Sequence, residues 1–389
     1  MARKPDPGSE ERTKPRVLHI TSSLAAGGAE TTMLLLLAHM DRSLIDSEVY
    51  TTSDGGPILA GLQAQGIPTT TQPGRLSMAS RILQVVKHCK ASKPDALQGW
   101  MYGGNITTTA VAICARIPIH GWNVRASLQD HRNVTKSMRR KIYLNKALSS
   151  KPNWIIYDSQ QSAAAHERFG FCGRGTHYIA NGFDTDQIRP SSDLRTSMRR
   201  ECGLSETDLT IGMIGRYHSV KGHSIFIEAA GQVASKMPNA RFVLIGQGLD
   251  WQNAHLVADL RKHHLEHRFT LLGERSDGAL CGNMLDVHVL ASRSESAPNV
   301  ICETMACATV SVTTDAGDSA FMVGDTGIVV PRNDPAALAQ GILAMGALSE
   351  EERHAMGRRA RERVVEVFSL ERFVSQYTEL YLGACRGVR

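Results

Sequence analysis

Residues 287–317 read VHVLASRSESAPNVICETMACATVSVTTDAG, a strand, a tight loop, a short helix and a second strand. An apolar run at 287–291 opens the stretch, a β-prone run at 310–314 closes it, and Pro298-Asn299 marks the helix start. A strand that enters a helix and returns to a strand is the building unit of a parallel sheet. A helix opening just past a strand end leaves its first backbone N–H groups unpaired, a ready site for an anionic group. Glu295 and Glu303 stand eight positions apart around that helix start. Carboxylates are strong hydrogen-bond acceptors and suit a hydroxyl-rich ligand. The local chemistry points to a sugar attached to a phosphate.

The same alternation extends in both directions. Upstream, a strand at 17–21 runs through the loop 22–28 into a helix at about 29–40, and further strands are expected at 49–52, 96–98 and 154–157. A second series opens at 210–214 and continues into a helix at about 223–236, with Ile225, Ala229 and Val233 at helical spacing and Pro238 as its stop. Strands at 242–245, 269–272, 287–290 and 310–313 complete it. Both series begin as strand, glycine-containing loop and helix. The expectation is an α/β chain of two doubly wound domains, joined near 179–190 (IANGFDTDQIRP). Open α/β sheets bind ligands beyond the carboxyl ends of their strands, so two such domains facing each other would enclose a cleft site.

At 389 residues the chain is long for a single core. Apolar content of 42% and charged content of 21% are ordinary for a water-soluble globular chain. No stretch approaches the ~20 apolar residues that span a bilayer. The start, MARKPDPGSEERTKPR, lacks the apolar core of a secretory signal and reads as a solvated tail. Eight scattered cysteines without a C-x-x-C pair fit reduced thiols in a cytosolic compartment. Net charge is +6, concentrated where residues 130–151 hold seven Lys or Arg against one acid. The segment 132–151 fits an anionic membrane surface or a solvated helix face equally well. With only Tyr143 as a stacking aromatic, it does not read as a nucleic-acid surface.

Four further stretches carry chemistry. GRYHSVKG, residues 215–222, places Arg216 and Lys221 five apart in a loop at a strand end, where both cations can converge on one anion. Gly246 and Gly248 end another strand, permitting a tight turn or close ligand approach. Gly27 and Gly28 precede a helix and allow the same there. Asp184 and Asp186 could bridge a metal to a diphosphate, but after Asn181-Gly182 their ordinary role is turn capping. His263, His264 and His267 fall in a basic polar helix and are expected to face water. A hydrolase pairing of Glu295 with Glu303 needs carboxyls ~5–9.5 Å apart, whereas eight helical residues span ~12 Å.

Taken together, GGAE (27–30), ANGFD (180–184), GRYHSVKG, IGQG (245–248), LLGER (271–275) and the Glu-x7-Glu element ESAPNVICE resemble the retaining, nucleotide-sugar-dependent glycosyltransferases of family 4. The motifs run in the family's order from residue 17 to about 380. LQGWMYGGN (97–105), GWNVRASL (121–128) and TTDAGDSAFMVGDTG (313–327) resemble a bacterial branch linked to surface polysaccharide assembly. The resemblance implies GT-B architecture, two Rossmann-like domains facing across a cleft. The tail would be 1–15, the acceptor-side domain 16–185 and the nucleotide-sugar domain 186–368, with the helix 369–389 packing back on the first.

It also implies roles. Arg216 and Lys221 would hold the donor diphosphate, Glu295 the sugar hydroxyls and Glu303 the nucleotide ribose. Backbone around Asn299 and Val300 would seat phosphate or sugar. Gly246 and the stretch Leu272 to Arg275 would border the nucleotide, and Gly27 and Gly28 would face the donor from the other domain. Arg125 stands where relatives carry a sugar-contacting His, and His131 is the other candidate there. The expected reaction moves a hexose from a nucleotide-diphosphate sugar to a glycan or lipid-linked glycan, with no cofactor and no metal. A nucleotide-sugar epimerase or hydrolase, or a catalytically silent sugar-nucleotide-binding protein, are the alternatives. Two positions depart from the family: Ser296 and Ala308 stand where it usually has glycine. Each added side chain narrows the room for backbone approach or positive φ.

Overall fold

The alternating pattern folds into two all-parallel sheets. The structure is a computed structural model and describes residues 14–25, 27–72, 74, 77–128 and 134–386. The first sheet holds β1 (Arg16–Thr21), β2 (Asp46–Thr51), β3 (Thr69–Thr71), β4 (Ala96–Trp100), β5 (Ile119–Val124), β6 (Trp154–Tyr157) and β7 (Thr176–Tyr178), in the order β3-β2-β1-β4-β5-β6-β7. The second holds β8 (Leu209–Ile214), β9 (Ala240–Ile245), β10 (Phe269–Leu271), β11 (Val287–Leu290), β12 (Val310–Thr314) and β13 (Gly327–Val330), in the order β10-β9-β8-β11-β12-β13. Strand order reverses between β1 and β4 in one sheet and between β8 and β11 in the other. In a doubly wound sheet that reversal opens a crevice at the carboxyl edge.

The chain divides into two compact units. The first comprises the chain up to Asp158, Ala163–Ile179 and Phe373 onward; the second comprises Ser159–Ser162 and Ala180–Arg372. The seam therefore lies at Ala180, a few residues ahead of the expected 185/186, and the return lies at Phe373 instead of 369. Backbone pairing explains both shifts. Phe183 N–H donates to the Phe368 carbonyl at 2.9 Å, and Leu370 N–H donates to the Phe183 carbonyl at 3.0 Å. These bonds tie the connector and the start of the last helix into the second unit.

That last helix, Leu370–Arg386, packs its Tyr377 and Tyr381 fully into the first unit. In the second unit, Phe226, Phe242 and Phe269 form the aromatic centre of the core, with Phe242 and Phe269 stacked at 4.9 Å. The basic segment becomes the helix Lys136–Leu148, capped by the Thr135 hydroxyl. It buries Ile142 and Asn145 and leaves Met138, Tyr143 and Leu144 exposed among its cations. Among the described residues no helix is long and apolar enough to cross a membrane.

Candidate functional site

Three loops meet at the carboxyl edge of the second sheet. Loop 215–222 leaves β8, the stretch from Gly246 leaves β9, and loop 291–298 leaves β11 into the helix Asn299–Ala306. Backbone contacts set their spacing. Gly222 has φ +73°, and a Cβ there would fall 2.1 Å from the Ala291 carbonyl oxygen. Gly246 has φ +140°, and its Cβ would fall 2.2 Å from the Gly215 carbonyl oxygen. Any other residue at either position forces the loops apart. Arg293 N–H donates to the Val220 carbonyl at 2.7 Å, which closes the first loop onto the third.

This closure brings Lys221 onto Glu295. Lys221 Nζ donates to Glu295 Oε1 at 2.8 Å, with the two side chains 24% and 14% exposed. The fully buried Ser292 hydroxyl donates to the same oxygen at 2.7 Å. Two donors on Oε1 leave Oε2 for a further partner. Glu303 lies one helix face away, half-buried, and desolvation pushes its carboxyl up to about 7 against the pull of Lys221. Arg216 is exposed in the same loop and makes no ion pair among the described residues. Asn299 Oδ1 accepts from Asn181 Nδ2 at 2.6 Å, which orients the first helical residue. Pro298 supplies no side-chain cap, so the N–H groups at Asn299 and Val300 stay open to a ligand.

The remaining candidates fall in distinct places. Gly246 N–H donates to the Gly273 carbonyl at 2.7 Å, which puts Leu272 and Gly273 beside that glycine. The Arg275 guanidinium pairs with Asp277 at 2.8 Å and Glu201 at 2.7 Å, and these carboxylates hold its pKa above the ordinary arginine range. In the first unit, Gly27 caps the helix Gly28–His39 without a side-chain cap, and Gly28 has open space where a Cβ would stand. Arg125 is in the first unit too, donating to the Tyr377 hydroxyl at 2.9 Å, with its guanidinium 5.6 Å from the Trp100 ring centre. His131 lies outside the described residues.

Asp184 accepts from the N–H groups of Asp186 and Gln187 at 3.1 and 3.0 Å, a turn-capping role. Among the described residues no group of three or more His, Cys, Asp or Glu is placed to hold a metal. The helix expected through the histidines ends at Lys262, because His264 takes φ +55° and turns the chain. Two residues escaped the sequence reading. Ser292 carried no signal, since a serine after a strand has many uses; Asn181 was visible in the ANGFD motif but without a partner.

The two departures from the family pattern resolve differently. Ser296 lies outside the positive-φ region, and its carbonyl accepts from Asp318 N–H at 2.8 Å, so nothing there demands glycine. Ala308 takes φ +60°, a left-handed conformation that costs an L-residue about 1–2 kcal/mol. The loop keeps a glycine's geometry and carries a methyl group in it.

Comparison with known proteins places this arrangement. Residues 26–187 match the family model described as Glycosyltransferase Family 4, and residues 208–347 match that described as Glycosyl transferases group 1. Together they span more than three quarters of the chain. The chain belongs to the family 4 glycosyltransferases. N-acetyl-alpha-D-glucosaminyl L-malate synthase of Bacillus anthracis is 30% identical over 194 residues, covering 49% of this chain and 50% of that protein. The glycosyltransferase thus spans about half the length of that relative. Putative glycosyltransferase EpsF of Bacillus subtilis (strain 168) is 22% identical, covering 76% of this chain and 77% of its own. Anabaena HepE, solved in complex with UDP, superposes with a TM-score of 0.83 at 21% identity over 95% of this chain and 100% of its own. The fold is GT-B.

Proposed function

We propose that this glycosyltransferase moves a hexose from a nucleotide-diphosphate sugar, with retention, onto a glycan or lipid-linked glycan in surface polysaccharide assembly. The observation that carries the reading is the convergence of Lys221, Glu295 and Glu303 at the carboxyl edge of the second sheet, in the loops and the helix Asn299–Ala306 that flank its reversal point. HepE, which shares the fold, has been solved with UDP and with UDP-glucose, which supports a donor of that class.

In this reading Arg216 and Lys221 hold the diphosphate, the open N–H groups at Asn299 and Val300 add to them, and Glu303 accepts from the ribose. Oε2 of Glu295 accepts from a sugar hydroxyl while Ser292 holds Oε1, and Lys221 passes from Glu295 to the diphosphate. The bond from the anomeric carbon to the phosphate oxygen breaks, and its electron pair leaves with the diphosphate. Fixed cations and helix N–H groups stabilise that developing charge. The acceptor hydroxyl attacks from the face being vacated, and its proton passes to the departing phosphate oxygen, giving retention. With two cations serving the leaving group, the reaction is proposed to need no metal. Residues Met138, Tyr143 and Leu144 between the cations of helix Lys136–Leu148 fit a peripheral contact with anionic membrane near a lipid-linked acceptor.

The test is turnover of nucleotide sugars with acceptor extracts. Lys221→Ala and Arg216→Ala are each expected to lose about 10²-fold or more, as when a donor to a developing anion is removed. Near-normal turnover in both folded variants contradicts the reading. Unchanged activity after metal chelation is the expected result for the metal-free step.

A further inference from the structure

The second unit has a cavity of about 390 Å³ at the other pole of its sheet, where β11 and β12 begin. Its charged lining is Arg195, Arg353, His354, Arg358 and a single carboxylate, Asp286. Asp286 is already fully engaged. One oxygen pairs with Arg195 at 2.6 Å, and the other accepts from Arg199 at 3.3 Å and from the Thr210 N–H at 2.7 Å. Arg353 satisfies itself in part on the Gly346 and Leu348 carbonyls, with no carboxylate partner among the described residues. Arg358 makes neither an ion pair nor a side-chain hydrogen bond among the described residues. Among the described residues His354 has only a long, exposed contact of 3.9 Å to Glu350. The cavity therefore carries net positive charge with a forked donor to spare.

The rest of the wall mixes polar residues (Ser191, Ser192, Asn283 and Thr309) with apolar ones. Pro190, Leu285 and Val310 line it, and so does Ala308. Ala308 takes φ +60°, at a conformational cost that glycine would not incur. Size, charge and lining select a small molecule with one anionic end, and guanidinium forks match phosphate oxygens in pairs.

We propose that this cavity is a second ligand site of the enzyme, taking a small organic phosphate whose phosphate lies against Arg358 and Arg353 and whose body lies against Ala308. The site is separate from the donor edge. Yet its Ala308 wall stands two residues beyond the helix Asn299–Ala306, which carries Glu303 at the donor edge.

The experiment is calorimetric titration of phenyl phosphate into the full chain. A background with both Arg216→Ala and Lys221→Ala removes the donor-edge cations, so a phosphate bound there is lost and one bound in the cavity remains. Binding is expected to persist in that background and to weaken about tenfold or more when Arg358→Glu is added, about 1.4 kcal/mol per factor of ten. Arg358→Gln is expected to fall between the two, and serves if the charge reversal perturbs folding. Binding that disappears in the donor-edge background overturns the proposal, as does binding indifferent to both Arg358 variants. Absence of binding to the wild type at millimolar phenyl phosphate overturns it equally.

Discussion

Apart from the extra edge strand β7 of the first sheet, the two units share one strand order but differ in how they use their polar residues. In the first, polar side chains meet one another. Tyr377 accepts from Asn123 at 2.5 Å and from Arg125 at 2.9 Å. Gln98 Oε1 accepts from Trp154 at 3.0 Å and from Tyr381 at 3.3 Å, while Trp100 donates to His19 at 3.1 Å. Burial drives His19 down to about 3, so it remains neutral in that network. The network seats the last helix. In the second unit, the groups at the reversal point are only partly engaged: Arg216 has no ion pair among the described residues, Lys221 and Glu295 pair with each other but stay partly exposed, and the Glu303 carboxylate is costly to charge. Equal topology thus leaves open whether a sheet serves anchoring or ligand chemistry; the side chains at its surface decide.

The largest effect that tests this contrast lies in the anchoring network. Tyr381→Ala removes a fully buried aromatic and is expected to cost about 3–5 kcal/mol of stability in denaturant titration. Nucleotide affinity at the second unit should persist in the folded fraction. Lost affinity at full folding would show that the two uses are not separable. A smaller effect concerns backbone strain. Ala308→Gly is expected to raise stability by about 1 kcal/mol by relieving the left-handed alanine, read as a higher unfolding midpoint. A drop would mean that the methyl's contacts outweigh the strain.

The smallest effect is pH-dependent. Glu303 has its folded pKa raised to about 7, so the stability tied to its neutral form is complete below the ordinary carboxylate range and is lost as pH rises through about 7. Ribose binding runs the other way, because the charged form is the better acceptor. Affinity for a nucleotide-diphosphate sugar should therefore rise as pH passes through about 7, and Glu303→Gln should flatten that rise. A wild-type profile as flat as that of Glu303→Gln would remove Glu303 from the site.

Much of this was legible in the residues. The strands at 154–157 and 287–290 and the helix at 223–236 stand where the pattern placed them, because apolar runs and Pro238 leave little choice. Strand β5 was missed: IHGWNV is wholly buried yet carries His120 and Asn123, so its polar residues mask a core strand. The cations and carboxylates at the carboxyl edge of the second sheet were visible as types at strand ends. Their pairing was not, since it depends on Gly222 and Gly246 letting loops approach that are distant in sequence. Arg275 shows the limit most clearly. Its motif gave it a place beside the nucleotide but did not show that Asp277 and Glu201 pair with its guanidinium.

The central claim is that Lys221 holds the donor diphosphate and that Glu295 occupies it until the donor arrives. Calorimetric titration of nucleoside diphosphates into the wild type, Lys221→Ala and Glu295→Gln tests it directly. The wild type should bind at least one of them, Lys221→Ala at least about tenfold more weakly, a loss of roughly 1.4 kcal/mol. Glu295→Gln should bind more tightly, by up to the ~1 kcal/mol of a partly exposed ion pair. Equal affinity in all three proteins would contradict the account.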